Sequence, residues 1–217
     1  MTLRADAARN REAIVKAARA VFADQGLDAP IDEIARRAGT GNATVYRRFP
    51  TRSDLVAAVF AEQMAAYVLA VESALADADP WNGFASYVRG VAAMQAQDRG
   101  IADLVTMNLS IAPQMERLRA RAHGGVVQLI GRAQDAGALR ADFTDQDVVL
   151  LLMANAGLVE RSHGMTLEAS ARVISLLLDG LRAQAATDAP AAPTSRRVLA
   201  AMTHNGRRHL GHGGRGE

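Results

Sequence analysis

The sequence predicts an all-α fold, and three observations carry that prediction. Aromatic residues supply only 4% of the chain and strand formers rarely cluster, while the helix formers alanine and leucine are abundant. Apolar residues recur at three- and four-residue spacing over long stretches, the period of helices buried along one face. Helix-start and helix-stop signals divide the chain: Thr51-Arg-Ser-Asp54 and Asp79-Pro80 as starts, Gly26 and Gly137 as stops. Together they give about nine helices, with an N-terminal three-helix bundle ahead of a larger helical body.

In order, residues 6–25 read as a first helix, with Ile14, Ala17, Ala18, Val21 and Phe22 on one face. Pro30 opens the second, where a missing N–H costs nothing and where Asp32 and Glu33 complement the positive end of the helix dipole. Residues 39–41 make a turn, and a short third helix over 42–49 is ended by Pro50. The Thr51 capping box starts a fourth helix reaching about residue 78, whose Leu55, Val59 and Phe60 close the N-terminal bundle. A fifth helix follows over 80–97, a sixth over 100–109, and a seventh over 113–136 with Gly124-Gly125 as a point of bending. An eighth spans 142–162 and a ninth 166–185. Beyond 185 the chain turns proline- and alanine-rich, then glycine-, arginine- and histidine-rich, which reads as a disordered basic tail with a brief helix over 196–202. The expected domains are 1–52, 53–185 and the tail 186–217.

Composition excludes several classes of function. With no cysteine there is no disulfide, thiolate metal site or cysteine nucleophile. The N-terminus is amphipathic and charged, unlike a signal peptide, and the best membrane-span candidate, 148–153, falls short of the ~20 residues of a span. A cytoplasmic protein with no membrane partner is expected. No phosphate loop, nucleophile–base pair or adequate metal-ligand set is present, so neither enzyme activity nor a cofactor is expected. Glu160-Arg-Ser-His163 has the spacing of a di-iron bundle but occurs once where two copies are required, and His204, His209 and His212 lack a rigid scaffold. The net charge of +2 is uneven: residues 1–60 carry +3, 61–188 carry −5 and 189–217 carry +4. A basic N-terminal part on an acidic body suits a nucleic-acid reader joined to a domain that avoids nucleic acid.

Residues 31–49 specify that reader. Two helices crossing steeply need a small residue at the crossing and an unusual backbone at the turn, and Ala35 and Gly39 stand at those places. Ile34, Ala38, Val45 and Phe49 form the apolar seam beneath. Opposite the seam lie Asn42, Thr44, Tyr46, Arg47 and Arg48, donors suited to phosphates and base edges. Gly41 has no side chain with which to cap the third helix, which makes Asn42 the candidate cap.

These residues carry a resemblance. The segment ending Ala20-Val-Phe-Ala-Asp-Gln-Gly26, then Ile34-Ala-Arg-Arg-Ala-Gly39, then Thr44-Val-Tyr-Arg-Arg-Phe-Pro-Thr-Arg-Ser-Asp-Leu55 resembles the DNA-binding part of the TetR (tetracycline-repressor) family. The strong match covers about a quarter of the chain. The resemblance implies an all-α homodimer that binds a palindromic double-stranded DNA operator and is released by a small molecule held in its C-terminal core. By matched position, Thr44 and Tyr46 contact phosphate or base edges, Arg52 stands in the place of a phosphate-gripping lysine, and Asn42 and Ala43 fall where members vary and read sequence. Gly41, Asn42 and Ala43 depart from a common serine, lysine and glycine. The alternative is a helical protein that keeps the fold to bind a small molecule, or as a scaffold, without operator control.

The body offers two further candidates. Trp81, Phe84, Tyr87, Met94, Met107, Met115 and Met153 dot the fifth to eighth helices, either as core filling or as a malleable pocket for an apolar or amphipathic effector. In the second case His123 and Asn155 are the polar anchors. The helices around 144–162 and 166–185 carry apolar arcs too wide for one buried side, with Ala154, Ala156, Gly157 and Gly180 permitting close approach, as in a two-fold four-helix interface.

Overall fold

The computed structural model describes residues 3–106, 113–162 and 165–210. The described elements are α1 (Leu3–Gln25), α2 (Ile31–Arg37), α3 (Asn42–Arg48), α4 (Arg52–Leu75), α5 (Pro80–Gln97), α6 (Arg99–Thr106), α7 (Pro113–Asp135), α8 (Asp145–Arg161), α9 (Thr166–Leu181) and α10 (Ser195–Leu210). A short 3-10 turn over Ala183–Ala185 follows α9, and no sheet forms among the described residues.

The starts follow their local chemistry. At α4, the Asp54 N–H donates to Thr51 Oγ1 at 3.1 Å while the Thr51 N–H donates to the Asp54 carboxylate at 3.1 Å, so two otherwise orphaned donors are satisfied reciprocally. Asp79 accepts from the Asn82 N–H at 2.8 Å at the head of α5, and Asp147 accepts from the Thr144 N–H at 2.8 Å at the head of α8. The far end of α4 is closed from another helix: Arg132 of α7 donates to the carbonyls of Leu75 and Asp77.

Apolar side chains form two cores, and α4 belongs to both. Leu55, Val56, Val59, Phe60 and Met64 pack with α1, α2, α3 and α6, while Val68, Val71 and Ala74 pack with α5, α7, α8 and α9. By length and composition α4 is the chain's one membrane-span candidate among the described residues, rather than 148–153, yet these apolar residues are buried in protein. The body is drawn tight by glycine. A Cβ on Gly125 of α7 would overlap a methyl group of Val71, and one on Gly83 of α5 would overlap the Ala74 carbonyl. The Gly124-Gly125 pair therefore marks a close helix crossing within an unbroken α7.

The C-terminal segment differs from the disordered tail with a brief helix that composition implies. Helix α10 runs for sixteen residues and packs on α8. Val198 is buried there, the Gln146 amide donates to Ser195 Oγ at 2.9 Å, and Arg140 holds the Thr187 carbonyl at 2.8 Å. Linker composition conceals the helix because its apolar stripe acquires a partner only from α8, about fifty residues earlier in the chain.

Candidate nucleic-acid interface and internal cavity

The turn between α2 and α3 is closed by two backbone bonds, Thr40 N–H to Ala35 O at 3.0 Å and Gly39 N–H to Arg36 O at 3.2 Å, around Gly39 at φ +66°. This arrangement demands a left-handed residue, which glycine supplies without steric penalty. Ile34, Ala35, Val45 and Phe49 are buried beneath and Ala38 packs against them. The opposite side of α3 presents Asn42, Ala43, Tyr46 and Arg47 to solvent, with Tyr46 52% exposed. Thr44 and Arg48 are half-buried, and the Arg48 Nε has no hydrogen-bond partner among the described residues.

Two side chains make contacts within the protein that the sequence reading did not name. Asn42 does not cap α3. The N-cap is Gly41, and the Asn42 amide donates instead to Asp32, tying α3 to α2. Arg52 is turned inward: its guanidinium donates to the Leu27 carbonyl and, at 2.6 Å, to that of Ala29, while lying over the Phe22 ring. Any phosphate contact has to share this group with two carbonyls. On α2, Arg36 and Arg37 both donate to Glu33 at 2.8–2.9 Å. Those bonds, from Arg36 first and Arg37 second, hold the Glu33 pKa down at about 2.

Behind this unit the body holds a cavity of about 410 Å³, open to solvent on one side, within the range of small-molecule sites. Its walls come from α4 (Met64, Tyr67), α5 (Tyr87), α6 (Leu104, Val105), α7 (Arg119, His123, Val126), the first half of α8, and α10 (Val198 and Met202 among others). Tyr87 and His123 are in the wall of this cavity. Trp81, Phe84, Met94, Met115, Met153 and Asn155 are not. Trp81 and Phe84 pack with their rings tilted in the body core, with Phe84 edge-on to Phe143 and Arg182 over Trp81 at 4.0 Å. Met115 is buried in the N-terminal core, Met94 packs on its margin, and Met153 sits half-buried on another side of α8. Asn155 is fully occupied within the protein. Its amide donates to Gln95 Oε1 at 2.9 Å, and its carbonyl accepts from Ser170 Oγ at 2.8 Å, so it locks α5, α8 and α9 together. Met107, His163 and His212 lie outside the described residues, as do the side chains of His204 and His209.

Sequence reasoning missed Tyr67, Arg119 and the α10 residues. A signal for Tyr67 exists, since Phe60, Met64 and Tyr67 continue one buried stripe at helical spacing. Nothing local marks Arg119 out from the other arginines of α7.

One helix touches both regions. Leu104 and Val105 of α6 line the cavity, while the Asp103 carboxylate between α6 and the α1–α2 loop accepts the Leu27 N–H at 2.7 Å. Asp98, at the head of α6, pairs with Arg19 of α1 at 2.5 Å, and Arg19 lies over Phe60. The loop that Arg52 grips by its carbonyls is thus gripped from α6 by its amide.

Two family models match separate stretches of the chain. The bacterial regulatory protein, tetR family, model matches residues 14–59, and the transcriptional regulator SbtR-like C-terminal domain model matches 79–183. A TetR transcription regulatory protein from Mycobacterium vanbaalenii is 35% identical, over 83% of this chain and 99% of that one, at a TM-score of 0.47. The chain belongs to the TetR family. A second TetR transcriptional regulator, SCO0520 from Streptomyces coelicolor, is 30% identical over 79% of this chain and 98% of that one, at a TM-score of 0.48. A tetR-family regulatory protein from Rhodococcus RHA1, 20% identical over 79% and 96% of the two chains, shares the fold at a TM-score of 0.57. A search of curated proteins found no match. As a TetR-family member the chain is a DNA-binding, ligand-responsive regulator with a homodimer-capable fold, and not an enzyme. Regulators of this family are generally cytoplasmic.

Proposed function

We propose that this TetR-family regulator is a repressor: two copies bind a palindromic operator through α3 and leave it when a small molecule fills the cavity. The observation that carries the reading is α6, which borders the cavity at Leu104 and Val105 and holds the α1–α2 loop through Asp103. A ligand that binds one placement of α6 better than another changes the setting of the DNA-reading unit, and it acts only through that difference in affinity. Residues 1–52 form the reading unit and 53–185 the body. Within the unit, Tyr46 and Arg47 contact phosphate or base edges, with Asn42, Ala43, Thr44 and Arg48 around them. Arg52 mainly fixes the α1–α2 loop. Dimerisation runs through α8 and α9, whose outer faces leave Leu150, Leu176 and Leu177 exposed. Two α3 helices then enter major grooves about 34–36 Å apart.

The test is fluorescence anisotropy on the DNA upstream of the gene. Arg47→Ala and Tyr46→Ala are each expected to weaken binding by about tenfold or more, with sedimentation unchanged. Wild-type affinity in both variants removes α3 as the reader.

A further inference from the structure

Tyr67 of α4 and Tyr87 of α5 meet on the cavity wall with their hydroxyl oxygens 2.9 Å apart. One hydroxyl donates to the other, which uses one of two phenolic protons; the second has no acceptor among the described residues. Burial raises the pKa of both phenols; at Tyr87, which goes well above its ordinary value, the Tyr67 phenol adds to the rise, whereas at Tyr67 the bond with Tyr87 and the charge of Arg119 partly offset it. Both therefore stay protonated and remain donors at physiological pH. A buried donor without an acceptor is unfavourable, so the fitting complement is an acceptor oxygen on whatever fills the cavity.

Charge narrows that oxygen further. The mostly buried Arg119 is on the same wall, donating Nη2 to the Leu104 carbonyl at 2.9 Å, and its field reaches Tyr67. The wall also carries Arg196 of α10, and His123 paired with Asp145 at 3.6 Å. The exposed carboxylate of Glu116 is 3.8 Å from Arg119. The lining holds two arginines against one aspartate, among Met64, Leu104, Val126, Leu152, Val198 and Met202.

Resting on the cavity being the effector site, we propose that it takes an apolar carboxylic acid. Its carboxylate oxygen accepts from the Tyr67–Tyr87 pair within the field of Arg119, and its hydrocarbon part lies along Leu152 and the α10 residues Val198 and Met202. Helix α10 begins after residue 183, the last position that either family model matches. Its share of the wall therefore lies outside the matched region.

The test is isothermal titration of the full-length protein with three probes of one chain length: decanoate, decan-1-ol and decyltrimethylammonium. Decanoate is expected to bind at least tenfold more tightly than the alcohol, and the cation not to bind. The double variant Tyr67→Phe/Tyr87→Phe keeps both rings and removes both hydroxyls. It is expected to weaken decanoate about tenfold, a charged hydrogen bond's share, and to narrow the acid-over-alcohol ratio. A purely structural role for the pair would move the Tm and leave that ratio alone. Equal binding of acid and alcohol, binding of the cation, no binding of any probe, or an unchanged ratio in the double variant overturns the proposal; the first three are read on wild-type protein and do not depend on the variant folding. Anisotropy on operator DNA without ligand is measured alongside. Loss of DNA binding there counts against the repressor reading, while the order of the three probes still decides the ligand class.

Discussion

Glu33 shows how single residues set the charge of the α2 surface. It lies on the surface, yet its hydrogen bonds from Arg36 and then Arg37 hold its pKa down at about 2 from a usual 4.5. A carboxylate with a depressed folded-state pKa gives a contribution that is complete above about 4.5 and lost as pH falls through about 2. The Glu33 carboxyl carbon, followed by NMR, is therefore expected to titrate near 2; a midpoint above 4 breaks the assignment. Charge pairing at this point also mutes two arginines. Glu33→Gln is expected to raise affinity for random-sequence duplex and steepen its salt dependence, since Arg36 then loses its carboxylate partner while Arg37 keeps Asp24 at 3.4 Å. The sequence places these arginines on the second helix, but their two-on-one arrangement depends on side-chain rotamers that spacing alone leaves open.

At the scale of elements, α7 and α4 show how a helix pair fixes its own separation. Gly124 and Gly125 are neighbours in sequence with opposite surroundings. A Cβ on Gly124 meets nothing within 4 Å, whereas one on Gly125 collides with Val71 of α4. Gly124→Ala is expected to leave stability unchanged or raise it by up to about 1 kcal/mol through helix propensity. Gly125→Ala is expected to lower it by about 1–3 kcal/mol, the range for overpacking. Urea unfolding of the two variants tests the pair, and equal effects would deny the close crossing. Reading the sequence gives a helix with two weak points, while the crossing makes one of them a packing requirement.

For the whole molecule, the question is how cavity, loop and partner subunit are joined. If α6 carries the ligand signal through Asp103, then Asp103→Ala, which removes the acceptor for the Leu27 N–H, is expected to reduce the loss of operator affinity caused by ligand. Ligand binding itself should persist. Paired titrations with and without DNA measure this coupling, and an undiminished response would move the path elsewhere. If α8 and α9 form the subunit interface, Leu176→Glu with Leu177→Glu places two charges on surface that is 54% and 40% exposed in the single chain. Sedimentation is then expected to show monomers that keep the helical content of the wild type, with operator affinity falling because only one α3 engages. A dimer that persists would place the interface on another face.

What the sequence determined is whatever a few consecutive residues encode. Thr51 with Asp54, and Asp79 ahead of Pro80, start their helices because the cap and the amide it satisfies are three residues apart. Gly39 closes the α2–α3 turn because only a residue tolerant of φ +66° fits there. The seam of Ile34, Val45 and Phe49, and so the exposure of Tyr46 and Arg47 opposite it, follows from helical period. What only the tertiary structure decided is which side chains meet across distance. Asn155, an apparent ligand anchor by its apolar neighbours, is satisfied by Gln95 and Ser170, sixty and fifteen positions away. The phenol pair joins Tyr67 to Tyr87, and α10 reaches the cavity through Gln146 and Ser195, forty-nine positions apart. Local signals are read within one helical turn, whereas a cavity wall is fixed by how helices pack, which no single stretch of the chain contains.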